Sequence, residues 1–386
     1  MSRNPTQTPM RTAPVRPSIG TPRAERLARL RKRMTELELD AVIVSRPANS
    51  RYLSGFRLAR GEAETAGYSG TLFVTAFEQL LLVDFRYLEQ AATQVADGWR
   101  VVRTAAPMPI VIANLLADHG VLRLGLEAES LVHARWAALA ESAPGTELHA
   151  IDAELAELRI VKEPAEVAAI EAACQLGDQA LVYLLDRIRP GVTERALAAE
   201  LERFFVDNHA EGTAFDPIVL VGPRAAMPHG APGSTPVEAG SVLLLDYGCQ
   251  VDGYRSDMTR TLFVGEVSEQ VRRLHEIVRD AQQRAIEAVR PGVSGASVDA
   301  VARQLIEESG HAEHFGHGVG HGIGLETHEA PRLLTFEAPL REGMVFSVEP
   351  GIYLAGVAGI RIEDIVVVEA HGARRLTASR REAVTI

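Results

Sequence analysis

The stretch Ser241–Phe263, SVLLLDYGCQVDGYRSDMTRTLF, reads as an apolar strand, a tight turn and a second strand. With Asp252-Gly253 as a two-residue turn, Val251 pairs with Tyr254, and the same register sets Gly248 opposite Asp257 and Asp246 opposite Thr259. Asp246 and Asp257 then share one face as diagonal neighbours, roughly 7 Å apart at the backbone, close enough to grip one ion. Bare carboxylates at the end of a run as apolar as Val242-Leu243-Leu244-Leu245 repel each other and resist burial, so a divalent cation between them is the chemistry this pattern suggests. Taken alone, the stretch also fits an ordinary hairpin with two solvated rim acids.

An internal repeat decides between these readings. RPGVTERALAAELERFFVDNHA from Arg189 matches RPGVSGASVDAVARQLIEESGHA from Arg290: a break, a Thr or Ser cap, an amphipathic helix and a His-Ala end. Downstream, PVEAGSVLLLD runs into Asp246 and PLREGMVFSVE into Glu349, each acid six residues after a glycine, Gly240 and Gly343. Each half therefore supplies two helices and a hairpin with an acid pair, the second pair being Glu349 and Glu363. A pseudo-twofold relating them brings four carboxylates to one centre, where only cations can neutralise them. In IRIEDIVVV, Arg361, Glu363 and Ile365 alternate with Ile360 and Ile362, which places a guanidinium beside Glu363, suited either to an anionic substrate group or to a structural ion pair.

The loop FGHGVGHGIGLETHEAP, from Phe315 to Pro331, carries His317, His321 and His328 among glycines that let the backbone pass close to a charged centre. His229, in MPHGAP after the strand PIVLVG, is a fourth candidate. No Lys-Ser/Thr follows the glycines, so a nucleotide-binding loop does not fit.

Working outward, the N-terminal part alternates helices and strands. A helix is expected over Pro22 to Asp40, then strands at AVIVS, GTLFVTA, QLLLVDF and LRLGLE, with helical segments around Arg86 to Val95, Pro109 to Asp118 and Val132 to Glu141. This predicts a disordered Pro/Thr/Arg-rich tail at 1–21, an α/β domain at 22–156 and a catalytic domain at 157–386. The polar loop from Leu58 to Ser69, with Glu62 and Glu64, is long enough to reach another surface. A formal charge of −11 argues against a nucleic-acid-binding surface, and no apolar run approaches membrane-spanning length or a signal-peptide core. The two cysteines, Cys174 and Cys249, are too few for a disulfide framework, and a cytoplasmic location is expected.

The motifs LLLDYG, GYRSDMTRT, GHGIGLETHE, SVEPGIY and GIRIED, with LDAVIVSRPANSRYLSGF near the start, together resemble the two-metal peptidases of the pita-bread fold. That group includes Xaa-Pro dipeptidase (prolidase), aminopeptidase P and methionine aminopeptidase; the N-terminal segment resembles the creatinase/prolidase N-terminal type and favours the Xaa-Pro branch. The resemblance implies an α/β domain followed by an α+β pita-bread catalytic domain with an internal pseudo-twofold. It implies two divalent ions, Mn2+ foremost with Co2+ or Zn2+ able to fill the same positions, held by Asp246, Asp257, His321, Glu349 and Glu363. A metal-bridging hydroxide is implied as nucleophile, Glu349 as proton shuttle, and His229 and His328 as groups steadying the intermediate. His317, Arg361 and Tyr353 are implied to line the proline-side pocket, and a homodimer is implied as the assembly. Hydrolysis of Xaa-Pro dipeptides is the first expectation and aminopeptidase P action on longer peptides the second, the Glu62–Glu64 loop being the imagined obstruction beyond proline. A hydrolase of a non-proline substrate and a non-enzymatic binding module on the same fold are the readings from other classes.

Overall fold

Leu27, Leu30 and Met34 fall on one stripe of α1 (Arg23–Glu36) and bury it with Val42 and Val44 of the first strand. The computed structural model describes residues 23–58 and 68–386. The expected tail and the Glu62 and Glu64 positions lie outside these residues. The chain continues as β1 (Ala41–Val44), α2 (Pro47–Ser54), β2 (Thr71–Thr75), β3 (Gln79–Val83), α3 (Leu88–Gln94) and β4 (Arg100–Arg103). Then come α4 (Met108–Asp118), β5 (Arg123–Leu126), α5 (His133–Ser142), β6 (Glu147–Ala150) and α6 (Asp152–Ile160). The six strands form one sheet in the order β4-β3-β2-β1-β5-β6. Its edge strands β4, RVVR, and β6, ELHA, are absent from the sequence reading because they are half-exposed and too polar to stand out as apolar runs. The boundary expected between 156 and 157 falls inside α6.

The repeat folds as two matching halves. In the first, α7 (Pro164–Leu185) opens with Pro164 and a capping box between Glu163 and Glu166. α8 (Glu194–Asp207) is capped by the Thr193 hydroxyl, which accepts from the Ala196 amide. β7 (Gly212–Thr213), β8 (Ile218–Val221), β9 (Ser241–Tyr247), β10 (Cys249–Val251), β11 (Tyr254–Arg255) and β12 (Met258–Val264) follow. The second half supplies α9 (Glu269–Ala288) and α10 (Gly295–Glu308), the latter capped by Ser294. Its strands are β13 (His321–Gly322), β14 (Glu329–Arg332), β15 (Val345–Val348), β16 (Gly351–Leu354), β17 (Ala358–Arg361), β18 (Asp364–Glu369) and β19 (Gly372–Arg375).

The register of the first hairpin is the expected one: Val251 pairs with Tyr254, and Asp246 with Thr259. At its tip Asp252 (φ 47°) and Gly253 (φ 82°) both take the left-handed conformation that a tight hairpin turn requires. Between the two ladders the strands cross so closely that a Cβ on Gly248 would lie 1.8 Å from the Ser256 carbonyl oxygen, so only glycine fits. In the second half β15–β18 and β16–β17 share one register, with Val348 opposite Asp364 and Gly351 opposite Arg361, which sets Glu349 across from Glu363.

Strand β9 is buried on both faces, and that explains its unbroken apolar run. Leu243 and Leu245 pack with α7 and α8, while Val242 and Leu244 join the core around α9 and α10. A third apolar cluster crosses between domains, combining Leu30, Tyr52 and Leu53 with Ile170, Tyr254, Ile323, Val345 and Ile365.

Candidate metal centre

The two hairpins and the glycine loop deliver their acids and one histidine to a single buried point. Ligand atoms of Asp257, His321 and Glu363 lie within 4.8 Å of one another, the one such cluster among the described residues. His321 Nε2 is 3.2 Å from Glu349 Oε1 and 3.8 Å from Asp257 Oδ2. The Asp246 and Asp257 carboxyl groups interact directly. Asp246, Asp257, His321 and Glu363 are buried and form the floor, whereas Glu349, His317 and Tyr353 are half-buried and His229 and His328 are exposed at the rim.

This floor is electrostatically incomplete. Burial, followed by repulsion from neighbouring carboxylates, pushes Asp257 and Glu363 well above the usual carboxylate range. Burial raises Asp246 as well, against the pull of Arg361. Burial opposes ionisation of Glu349 too, but the hydrogen bond with His321 and the positive charges of His321, His317 and Arg361 together outweigh that cost and hold Glu349 down at about 2. Reciprocally, Glu349 raises His321 in spite of burial. Asp246 Oδ1 and Glu363 Oε1 are buried without any hydrogen-bond partner. Orphaned carboxylate oxygens among four acids and one imidazole fit hard or borderline divalent cations, which would supply the missing charge.

Arg361 is placed differently from its sequence reading. Its Nη2 donates to Asp246 Oδ2 (2.5 Å), not to Glu363; Nε donates to Thr259 Oγ1 (3.0 Å), and Nη1 to the Tyr353 hydroxyl (2.9 Å) and Pro228 O (3.4 Å). The strand breaks between Arg361 and Asp364, so neighbours on one face of the sequence pattern turn toward different partners. His317 Nε2 lies 2.9 Å from the same Tyr353 hydroxyl, which makes His317, Tyr353, Arg361 and Asp246 one hydrogen-bonded row. Burial lowers the pKa of His317; His328, though open to solvent on one side, is desolvated on the side that packs against His321 and comes down to about 4, so both are neutral near pH 7. The His328 ring lies 4.2 Å from that of His321, and His229 is close enough to influence both His317 and His328.

Several supporting residues escaped the sequence reading. Thr259 Oγ1 donates to Glu363 Oε2 (2.7 Å) and accepts from Arg361; its place opposite Asp246 in the expected register was the available signal. Behind the floor, Arg260 donates to Asp364 (2.6 Å) and to the backbone oxygens of Thr259 and Glu363, fixing the two strands together. Asp364 also accepts from Thr377 (2.6 Å), Gln282 (3.0 Å) and Arg375 (3.2 Å). Glu329, next to His328, accepts from Lys162 (2.5 Å) and Arg159, and Arg159 reaches Asn49 of α2 (2.7 Å). No short motif marks these partners, which come from strands and helices distant in sequence.

Comparison with known proteins fits this geometry. Residues 168–370 match metallopeptidase family M24, and residues 26–161 match the creatinase/prolidase N-terminal domain. The Xaa-Pro dipeptidase of Pyrococcus furiosus is 36% identical over 365 residues, which is 93% of this chain and 99% of that protein. An Xaa-Pro dipeptidase structure from Bacillus anthracis superposes with a TM-score of 0.87 at 34% identity, covering 94% of this chain and all of the other. An X-Pro aminopeptidase structure from Thermotoga maritima does so with a TM-score of 0.85 at 36% identity, over 93% and 99% of the two chains.

Proposed function

Since the chain belongs to metallopeptidase family M24, with a creatinase/prolidase N-terminal domain ahead of its catalytic part, we propose that it hydrolyses Xaa-Pro dipeptides. The observation that carries this reading is the joining of an acid-rich floor, at Asp246, to the row of Arg361, Tyr353 and His317 that leads away from it, a surface suited to a substrate with a free carboxylate close to its scissile bond. The relatives named above act, by their names, on both dipeptides and X-Pro peptides, so aminopeptidase action is the second reading.

The residues that would hold two divalent ions, Mn2+ foremost and Co2+ or Zn2+ in its place, are Asp246, Asp257, His321, Glu349 and Glu363. Asp257 and Glu363, the acids that burial disfavours most as anions, would gain most from the charge those ions would supply. When bound, the ions supply Lewis-acid activation of the attacking water and the scissile carbonyl. Glu349, held ionised, takes the proton of that water and passes it to the proline nitrogen, which has no N–H in the substrate and must gain one as the bond breaks. Neutral His328 and rim His229 donate to the carbonyl oxygen as it becomes negative. His317, Tyr353 and Arg361 orient the proline carboxylate.

A homodimer is part of the proposal. Phe77 and Phe85, 93% and 69% exposed, are apolar surface on the N-terminal domain that a second copy would cover. No helix among the described residues is long and apolar enough to cross a membrane, and a cytoplasmic site of action is proposed.

The test is hydrolysis of Xaa-Pro dipeptides beside Xaa-Pro-Xaa tripeptides, using chelated protein reloaded separately with Mn2+, Co2+ or Zn2+. The expected outcome is metal-dependent cleavage confined to dipeptides. Cleavage of the tripeptides at comparable kcat/KM replaces this reading with the aminopeptidase, and no cleavage of either with any metal removes both.

A further inference from the structure

Two fully buried carboxylates lie away from the metal centre, one on the second helix of each half, and neither has a role so far. Glu194, at the start of α8, accepts from the Val221 amide (2.9 Å), the Gly233 amide (2.7 Å) and Arg224 Nε (3.0 and 3.1 Å). Arg224 in turn donates through Nη2 to Ala231 O (2.8 Å). These bonds close the loop from Val221 to Gly233 at both ends, and that loop carries Pro228, which receives Arg361, and His229. Space at its closing end is tight, since a Cβ on Gly233 would meet Glu194 Oε2 at 3.3 Å.

Asp299 does the same in the second half. Its Oδ1 accepts from the Val319 amide (2.7 Å), and its carboxylate pairs with Arg303 through Nε (2.8 Å) and Nη2 (3.2 Å). Arg303 then donates to Phe315 O (3.2 Å) and to the backbone oxygen of His317 (2.8 Å). The Val319 carbonyl receives the Glu349 amide at 2.7 Å, so the same fastening reaches the proton-handling acid.

The aligned repeats make the coincidence informative. Glu194 stands opposite Gly295, and Asp299 opposite Ala198, one helical turn farther along. An acid at position 295 is disfavoured, since a Cβ there would lie 3.1 Å from the backbone of Leu333 and Leu333 would have to give way. The two halves therefore reach one arrangement from different positions: a buried acid, an arginine, and a loop bearing one histidine. Inheritance of a single residue does not explain this, whereas a shared need to fix the loop does.

We infer that Glu194 and Asp299 are positioning residues, acting through His229 and His317 respectively. The inference rests on the reading that these two histidines meet the substrate. Removing a clamp lets its histidine drift, and a displacement of about 1 Å at a reacting centre costs up to about 100-fold in rate. His317 orients the carboxylate in both ground and transition states, so loss of Asp299 should appear in KM; His229 acts on developing charge, so loss of Glu194 should appear in kcat.

The experiment is a pair of double-mutant cycles on metal-loaded enzyme, Asp299→Asn with His317→Ala and Glu194→Gln with His229→Ala, assayed with an Xaa-Pro dipeptide alongside metal content and Tm. Asp299→Asn should raise KM about 10-fold, lower kcat by no more than about three-fold through the Val319–Glu349 bond, and add less than about two-fold to KM in the His317→Ala background. Glu194→Gln should lower kcat about 10-fold and add less than about two-fold in the His229→Ala background. Should a single clamp variant fail to fold, its arginine takes its place at unchanged metal content: Arg303→Lys, which keeps a cation beside Asp299 but loses the fork to the loop carbonyls, should raise KM about three-fold, and Arg224→Lys, which keeps a cation beside Glu194 but loses the bond to Ala231 O, should lower kcat about three-fold. Multiplicative effects in both cycles, or an unchanged KM in Asp299→Asn and Arg303→Lys where His317→Ala raises it, overturn the inference alone. Unchanged kinetics in both histidine variants remove the site reading and the inference together.

Discussion

In the first half of the catalytic domain Asp246 and Asp257 stand diagonally across the kink at Gly248; in the second, Glu349 and Glu363 face each other across the break between two ladders of one register. Each pair is braced from the opposite half. Arg361 of the second hairpin holds Asp246, and Thr259 of the first holds Glu363. The ladders are joined as well, since the Glu363 amide donates to Thr259 O (3.1 Å). Asp246 and Glu363 are thus each aimed by a group from the other half, whereas Glu349 is held from its own half by the Ser347 hydroxyl (3.0 Å) and His321 (3.2 Å). Behind the floor the halves differ in what they give to the buried pair that joins them: the first supplies the cation, Arg260, and the second the carboxylate, Asp364.

The largest effect tests the equivalence of the halves. Asp257→Asn and Glu363→Gln should each lower kcat by at least about 1000-fold, or about 4 kcal/mol, with loss of bound metal measured by elemental analysis. If one variant keeps full metal content and rate, the halves do not contribute alike. Next comes the rear pair. Asp364→Asn leaves Arg260 buried with its charge uncompensated and should cost about 3–5 kcal/mol in urea unfolding. A loss below about 1 kcal/mol would show that the halves need no such support.

The smallest effect concerns the helices beneath the hairpins. α9 contains His275, buried against Phe263 with ring centroids 5.4 Å apart, whereas α7, its counterpart, has no histidine. Burial, aided by Arg279, lowers His275 to about 4. Because the folded pKa lies below the unfolded value of about 6.5, the stability it contributes is complete above that pH and is lost as the pH falls toward about 4, up to about 3 kcal/mol. His275→Leu should flatten this acid limb in denaturant titrations at stepped pH; an unchanged slope would mean the ring is not the group responsible.

Much of this architecture is legible in the chain because alternation and turn chemistry are local. Asp252-Gly253 fixes the hairpin tip, and once the tip is fixed every pair down to Asp246 and Thr259 follows. Capping residues Thr193 and Ser294 and the Pro164 start are local signals of the same kind. What the chain hides are partnerships across distance. Arg361 reads as a neighbour of Glu363, yet the break in its strand sends it to Asp246. Glu194 and Asp299 belong to no motif of the sequence, and nothing adjacent announces Arg224 or the Val319 amide as their partners. Buried carboxylates look in sequence like exposed ones, because burial is decided by what packs over them.

The apolar cluster that combines Leu30, Tyr52 and Leu53 with Tyr254, Val345 and Ile365 has a thermodynamic meaning. Tyr254 belongs to the hairpin that carries Asp246 and Asp257, and Ile365 follows Glu363 by two residues, so the N-terminal domain supplies part of the hydrophobic floor on which these strands rest. Two regions that families catalogue as separate parts thus share one apolar core: heat or denaturant is expected to melt them in a single transition, and a catalytic domain cut free would begin life with an oily wound where its neighbour had been.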